Sequence, residues 1–300
     1  MTDDMLEKGI VQEASGSAWC ANVIIVPKKN GKLRYAVNYT ALNKCTVDLA
    51  WDLPLCQDVL DSMGGSTVFT TLDLAAGYWQ IPISQEDRAK AAFVSPDGRV
   101  VEPTVIQFGL ANAPSHFSRY MAMVLGSRPA CKGRCVKLAP EATETACMCA
   151  RRQLNHRCLQ SFIDDCILYS TDAATHVRDI KDTLDRLCGD YGLSLRGSKC
   201  VFARAEVEVL GHRVSAHGIR PCAKKVQAIS ETPFPVDKTA MKSFLGLASY
   251  YRKFIKSFAA IAQPLNALLK KDAPYPQSPS SMQLKAFTTL RSAGRPYVET

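Results

Sequence analysis

The sequence predicts an α+β fold: a sheet platform followed by a smaller C-terminal subdomain. Three observations carry this. Runs of β-branched and apolar residues with strand character recur through the first two thirds of the chain. The first of them turns back at an Asn-Gly pair. Two stretches in the second half repeat apolar residues at helical spacings of three and four.

In chain order, the opening reads as a short helix. Val23-Ile24-Ile25-Val26 then forms a strand, Pro27-Lys28-Lys29-Asn30-Gly31-Lys32 a basic hairpin tip, and Leu33 to Tyr39 the returning strand. Gly64-Gly65 breaks the chain before a buried-strand pattern, Thr67 to Leu74, that ends in the carboxylate of Asp73. Leu159 to Tyr169 is a second strand pattern, containing Asp164 and Asp165. Val177, Ile180, Leu184, Leu187 and Tyr191 then line one helix face, with Gly192 as its stop. Short strands are expected at Leu193–Leu195 and Val207–Val209, and a hinge at Pro233 and Pro235. A last long helix, capped by Thr239, runs along Met241, Phe244, Leu245, Ala248, Tyr251, Ile255 and Phe258, before a Pro/Ser-rich tether from Pro274 to Pro279.

Composition narrows the class. Hydrophobic residues at 47% and charged residues at 22% fit a globular chain of 300 residues with one large domain or two to three subdomains. No apolar run approaches the roughly 20 residues of a membrane span, and the acidic start, Met1-Thr2-Asp3-Asp4, lacks a signal-peptide pattern. The 12 cysteines are therefore expected as thiols. The net charge of +9 makes a polyanion a plausible partner, and its location sharpens this. Gly192 to Lys271 holds 14 Lys and Arg against 4 Asp and Glu, while the rest of the chain holds 23 against 24.

Asp164 and Asp165 carry the sharpest chemical signal, because both interrupt an apolar strand pattern. Neighbours in a strand point to opposite faces, so the pair can share a site only at a sharp turn. Buried carboxylates repel and cost several kcal/mol unless compensated. A divalent cation removes that penalty, and hard oxygen ligands suit Mg²⁺. Taken alone, an Asp-Asp pair is better explained by a surface hairpin turn. With Asp73 on a further strand, three carboxylates suffice to hold two metals for an in-line phosphoryl displacement.

Phe162-Ile163-Asp164-Asp165 resembles the aromatic-x-Asp-Asp box of reverse transcriptases. Leu72-Asp73-Leu74-Ala75-Ala76-Gly77-Tyr78-Trp79-Gln80-Ile81 resembles their first catalytic motif, and Phe108-Gly109-Leu110-Ala111-Asn112-Ala113-Pro114 their nucleotide-pocket segment. Ser198-Lys199-Cys200 and Leu210-Gly211-His212 resemble the motifs that follow the catalytic hairpin. Ser243 to Ile255 resembles the segment after the thumb in gypsy-type LTR retrotransposon polyproteins. The ordered similarity runs from about Leu6 to Lys271.

The resemblance implies an RNA-directed DNA polymerase with the right-hand fold. Fingers would occupy 1–66 and the palm, an antiparallel sheet with helices packed on it, 67–191. The end of the palm, the primer grip and the start of the thumb would lie at 192–236, a helical thumb or connection at 237–272, and a tether towards a ribonuclease H domain at 273–300. It implies Asp73, Asp164 and Asp165 as catalytic residues holding two Mg²⁺ (or Mn²⁺) ions. Lys28, Lys29, Arg34, Leu74, Tyr78, Phe108, Gly109 and Lys199 would bind the nucleotide, and Leu210, Gly211 and His212 the primer end. Arg34 offers a fork to phosphate oxygens and the lysines point charges; a solvated turn explains the hairpin lysines too. Tyr78 would exclude a ribose 2′-hydroxyl by steric clash, while core packing beside Trp79 explains it equally. Lys199 would protonate the leaving pyrophosphate, or is an exposed structural lysine.

The implied partners are an RNA or DNA template with its primer, deoxynucleoside triphosphates and other Pol polyprotein domains, with no membrane. The implied location is intracellular, in a cytoplasmic particle or the nucleus. A retroelement remnant that binds primer–template without polymerising is the alternative reading.

Some positions depart from the family pattern. Asn38 and Thr40 stand where Asp and Arg are usual, and Gln107 where Pro is usual. Gly126 to Arg157 is longer than the corresponding connection; its Cys131-x3-Cys135 and Cys147-x-Cys149 invite a zinc reading, but Cys-x-Cys is not the usual zinc-ligand spacing and no His lies between the pairs. A disordered insertion or translated non-coding sequence at about 127–157 is the preferred reading. No protease segment is expected before the fingers, and 282–300 resembles only the approach to a ribonuclease H domain, so template degradation is expected to come from elsewhere.

Overall fold

The computed structural model describes residues 2–14, 16–27, 33–51, 53–126, 158–162, 165–271, 273–276 and 278–292. The chain divides into two units, Met1–Ala205 and Glu206–Thr300.

The first unit opens with α1 (Thr2–Glu7), β1 (Val11–Glu13) and a hairpin of β2 (Asn22–Pro27) and β3 (Leu33–Asn38), followed by α2 (Thr40–Cys45) and α3 (Cys56–Ser62). The Asn30-Gly31 tip lies outside the described residues. Next come β4 (Val68–Asp73), α4 (Gln85–Arg88), β5 (Phe93–Val94), β6 (Val100–Pro103), α5 (Ala113–Leu125), β7 (Leu159–Phe162), β8 (Asp165–Ser170), α6 (Ala173–Leu184) and β9 (Val201–Arg204). β1, β6 and β5 form one small sheet, packed with Met5, Val37, Tyr39 and Phe93 into a local core.

The principal sheet is antiparallel, in the order β7-β8-β4-β9. Side-chain alternation sorts its faces. Thr70 and Leu72 of β4 and Cys166, Leu168 and Ser170 of β8 share one face; there Leu72, Cys166 and Leu168 join Phe117 and Met121 of α5 and Leu187 in a buried core. The opposite face carries Phe69, Ile167 and Tyr169, all buried, and ends in Asp73 and Asp165. The stretch Leu159–Tyr169, expected as a single strand pattern, is two antiparallel strands in which Phe162 pairs with Asp165. Residues 163 and 164 lie between them, outside the described residues.

Helix α6 keeps the expected stripe at Ile180, Leu184, Leu187 and Tyr191, but Val177 is exposed and His176 takes the buried position at that end. After Leu184 the helix widens into a π turn, Asp185–Asp190. Leu195 makes an isolated bridge to Leu74 where a short strand was expected.

The second unit contains the antiparallel sheet β10 (Glu206–Val209), β11 (His212–Ser215) and β12 (Gly218–Pro221), then α7 (Ala223–Glu231), α8 (Lys238–Tyr250), α9 (Phe258–Asn266) and α10 (Ser281–Ser292). Pro233 and Pro235 fall between α7 and α8, inside this unit. The cap of α8 is Asp237, not Thr239: its Oδ1 accepts the Ala240 N–H at 2.7 Å. The expected long helix ends at Tyr250; a 3-10 turn, Arg252–Phe254, follows, and Ser257, with a left-handed φ of 59°, leads into α9. Within 273–300, expected as a tether, α10 buries Ala286, Phe287 and Leu290 against Phe244 and Leu265. Among the described residues no helix is long and apolar enough to cross a membrane, and Cys20, Cys45, Cys56, Cys158, Cys166, Cys188, Cys200 and Cys222 are free thiols.

Candidate active site

Asp73 ends β4 and Asp165 begins β8, and the two are register partners on one sheet face. Directly opposed residues hold their Cβ atoms about 5 Å apart, so the two carboxylates confront each other without any turn between them. Asp165 sits at an exposed strand end, yet the surrounding protein desolvates its carboxyl and lifts it above the usual carboxylate range. The Asp73 charge adds to that rise and Lys199 opposes it.

Lys199 is delivered by the chain that crosses the end of β4. The Arg196 N–H donates to the Asp73 carbonyl at 2.8 Å, and a 3-10 turn, Gly197–Lys199, follows at once. This places the Lys199 Nζ 3.1 Å from Asp73 Oδ2. Gln80 fastens the same crossing. Its Nε2 donates to the carbonyls of Ala75 and Ser194, at 2.9 and 3.0 Å, and its Oε1 accepts the Ser194 N–H at 2.6 Å. The sequence offered one signal for this, a long polar side chain inside the apolar run Tyr78-Trp79-Gln80-Ile81.

Beyond Asp73 the chain turns at Ala76, whose left-handed φ of 54° is uncommon without glycine. The following 3-10 turn, Gly77–Gln80, sets the Tyr78 ring edge-on to Phe108 and Phe117, with centroids 5.0 and 5.4 Å apart. Tyr78 is buried, while Phe108 keeps 38% of its surface exposed. Gly109 needs its φ of +99°, and a Cβ there would press on the Val37 carbonyl at 3.2 Å. Asn43 brackets this loop, donating to the Gly109 carbonyl at 2.8 Å and accepting the Ala111 N–H at 2.9 Å. Leu74 is buried in the core beneath, bridging Leu195.

The departures from the family pattern have local partners. Gln107 is buried and accepts the Trp79 indole N–H at 3.2 Å. Asn38 Oδ1 accepts from the Thr40 N–H and hydroxyl, at 3.1 and 2.6 Å, closing a neutral turn at the start of α2.

The structure thus brings together Asp73, Asp165 and Lys199, and separately Tyr78, Phe108 and the Gly109 loop. Asp164, Lys28 and Lys29 lie outside the described residues, as do Cys131, Cys135, Cys147 and Cys149. Arg34 lies in β3 opposite Val26. Leu210, Gly211 and His212 belong to the second unit, where Leu210 and Gly211 form the two-residue turn between β10 and β11.

The donor set suits a hard divalent cation. Asp73 and Asp165 present carboxylate oxygens on one face, and a cation there would offset the desolvation and the mutual repulsion that raise Asp165. Asp164, two residues after the strand partner Phe162, is the remaining expected ligand.

Comparison with known proteins identifies the family. Residues 26–214 match the family described as reverse transcriptase (RNA-dependent DNA polymerase). The Tf2-3 transposon polyprotein of Schizosaccharomyces pombe is 32% identical over 278 residues, which is 93% of this chain and 19% of that polyprotein. The chain therefore spans about a fifth of the length of the curated relatives it matches. Among solved structures, the foamy viral protease–reverse transcriptase in complex with double-stranded DNA matches with a TM-score of 0.82 at 19% identity, covering 97% of this chain and 46% of that one. The same viral protein in complex with an RNA/DNA hybrid matches with a TM-score of 0.78 at 20% identity, covering 97% and 35%. The fold is the right-hand polymerase fold. The chain belongs to the reverse transcriptase family.

Proposed function

We propose that this chain synthesises DNA from a primer on an RNA or DNA template, using deoxynucleoside triphosphates. The observation that carries the reading is the register pairing of Asp73 with Asp165, with Lys199 seated on Asp73. Asp73, Asp164 and Asp165 would hold two Mg²⁺ or Mn²⁺ ions, which supply activation of the primer 3′-hydroxyl and neutralisation of phosphate charge. The 3′ oxygen joins the α-phosphorus as the bond to pyrophosphate breaks. Lys199 would return a proton to the leaving group. Tyr78, held by Phe108 and Phe117, would meet the sugar edge, with Phe108 and Gly109 lining the nucleotide. Lys28, Lys29 and Arg34 would contact the triphosphate, and Leu210, Gly211 and His212 the primer end.

In this reading residues 1–66 are fingers, 67–191 the palm, 192–236 its end with the primer grip, and 237–272 the thumb or connection. The nucleic-acid complexes of the foamy viral neighbours support a primer–template partner, and the polyprotein relatives support further Pol domains as partners. An intracellular setting, in a particle or the nucleus, goes with both.

The test is extension of a DNA primer on poly(rA) with Mg²⁺ or Mn²⁺, abolished in Asp165→Asn. A chain that extends nothing, yet still binds RNA–DNA hybrid in a salt-sensitive way, would overturn the polymerase reading.

A further inference from the structure

The turn between β10 and β11 is conformationally demanding. Val209 and His212 are paired, so Leu210 and Gly211 alone reverse the chain, with left-handed φ values of 46° and 70°. That is the backbone pattern of a type I′ hairpin turn, which favours Asn-Gly and disfavours a branched apolar residue at its first position. A side chain at 211 would also require the Lys225 side chain to move aside.

Both carbonyls of this turn are doubly bonded from within the second unit. Leu210 O accepts from the Tyr250 hydroxyl at 2.5 Å and from His212 Nδ1 at 3.0 Å. Gly211 O accepts from the Tyr251 hydroxyl at 2.6 Å and from the Cys222 N–H at 3.2 Å. Consecutive tyrosines at the end of α8 therefore hold consecutive carbonyls of the turn, 40 residues away in sequence. The rings themselves are fixed. His212 is buried, its ring tilted against Tyr250 and edge-on to Tyr251 with centroids 5.2 and 5.4 Å apart, and the Lys225 Nζ lies 5.0 Å from the Tyr250 centroid.

We propose that Tyr250 and Tyr251 are positioning residues whose paired hydroxyls hold the Leu210–Gly211 turn in its left-handed form and so set the placement of the primer end. This rests on reading Leu210–His212 as the primer grip. The hydroxyls satisfy carbonyls that would otherwise compete for other donors, and they oppose relaxation of Leu210 out of a backbone region that L residues avoid.

The experiment uses the full chain carrying Tyr250→Phe and Tyr251→Phe together, which keeps both rings and removes only the hydroxyls. Tyr275→Phe is the control, since the Tyr275 hydroxyl donates to the Pro235 carbonyl at 2.6 Å in the same unit, away from the turn. In the double variant the Cys222 amide, bonded to Gly211, should exchange with solvent about tenfold faster. KM for primer–template should rise about tenfold, with KM for the triphosphate within twofold of the parent chain. Tyr275→Phe should change neither. Unchanged Cys222 exchange, or primer parameters that match those of the control, would overturn the inference. If the parent chain extends no primer, the polymerase reading fails, and the exchange measurement still decides whether the tyrosines hold the turn.

Discussion

Asp73 and Asp165 stand opposite each other across β4 and β8, and the protonated form of Asp165 is favoured by desolvation and by the Asp73 charge. A carboxyl raised on folding stabilises the fold when protonated, and that contribution is lost as pH rises through its folded value. At neutral pH the ionised pair is therefore a stability cost. Asp165→Asn should raise the Tm of the metal-free chain at pH 7.5 by about 2 °C while eliminating primer extension. Mn²⁺ should raise the parent Tm by binding the folded state, and this rise should shrink in the variant and towards acid pH in the parent. Equal metal-induced shifts in the two chains would remove Asp165 from the ligand set.

A second buried group defines a one-way chain of hydrogen bonds behind the sheet. The Ala203 N–H donates to Thr70 Oγ1 at 3.0 Å, Thr70 lies 2.8 Å from His176 Nε2, and Ser170 Oγ lies 2.9 Å from both His176 Nδ1 and Asp179 Oδ2. Ser170 donates its only proton to Asp179, so it accepts from Nδ1–H, which leaves Nε2 to accept from Thr70 in the neutral ring. Burial favours that neutral imidazole, depressing its pKa against the opposing pull of Asp179. Cys158 faces the same carboxylate, with its thiol pushed up to about 11 by burial and by Asp179. A depressed histidine leaves stability intact above its unfolded pKa, about 6.5, and loses it as pH falls towards the folded value. The Tm should fall from pH 7 to pH 5, and His176→Phe should flatten part of that slope while costing about 1–3 kcal/mol through the Thr70 hydroxyl, which loses its acceptor. His212, depressed by burial as well, should account for slope that remains. A pH profile unchanged in the variant would refute the neutral assignment.

Tyr78 packs edge-on between Phe108 and Phe117, so its ring cannot swing without disturbing both. Tyr78→Ala should cost about 3 kcal/mol as a buried truncation and raise incorporation of ribonucleotides relative to deoxyribonucleotides. Sugar selectivity that stays unchanged in the folded, active variant would leave Tyr78 as core packing alone.

What could be read from sequence follows how local each signal was. The β2–β3 hairpin and β4 announce themselves through β-branched runs with clear breakers beside them. The break within Leu159–Tyr169 was signalled by the adjacent carboxylates and by the resemblance to a catalytic hairpin, not by any glycine or proline. The break after Tyr250 was hidden because no glycine or proline lies between Tyr250 and Ser257, the residue that turns left-handed before α9. Burial of His176 depended on Thr70, 106 residues away, and the site role of Lys199 on Asp73, 126 residues away. Periodicity sees neither. Gln107 and Asn38 looked like losses until their partners, Trp79 and Thr40, were in place.

The basic excess between Gly192 and Lys271 yields the last prediction. Lys242, Arg252 and Lys256 are exposed on and just after α8, and the rest of the chain is close to neutral. Phosphate contacts by such residues release counterions, so affinity for a primer–template duplex should fall steeply as salt rises. Each lost contact lowers the slope of log K against log salt by about 0.9 on B-form DNA. Neutralising Lys242, Arg252 and Lys256 together to Gln should therefore reduce the slope by up to about 2.7 and weaken all duplex sequences alike, since phosphates carry no base information. Fluorescence anisotropy from 50 to 300 mM KCl measures both effects. A slope that the triple substitution leaves unchanged would place the duplex on a different face from these three side chains.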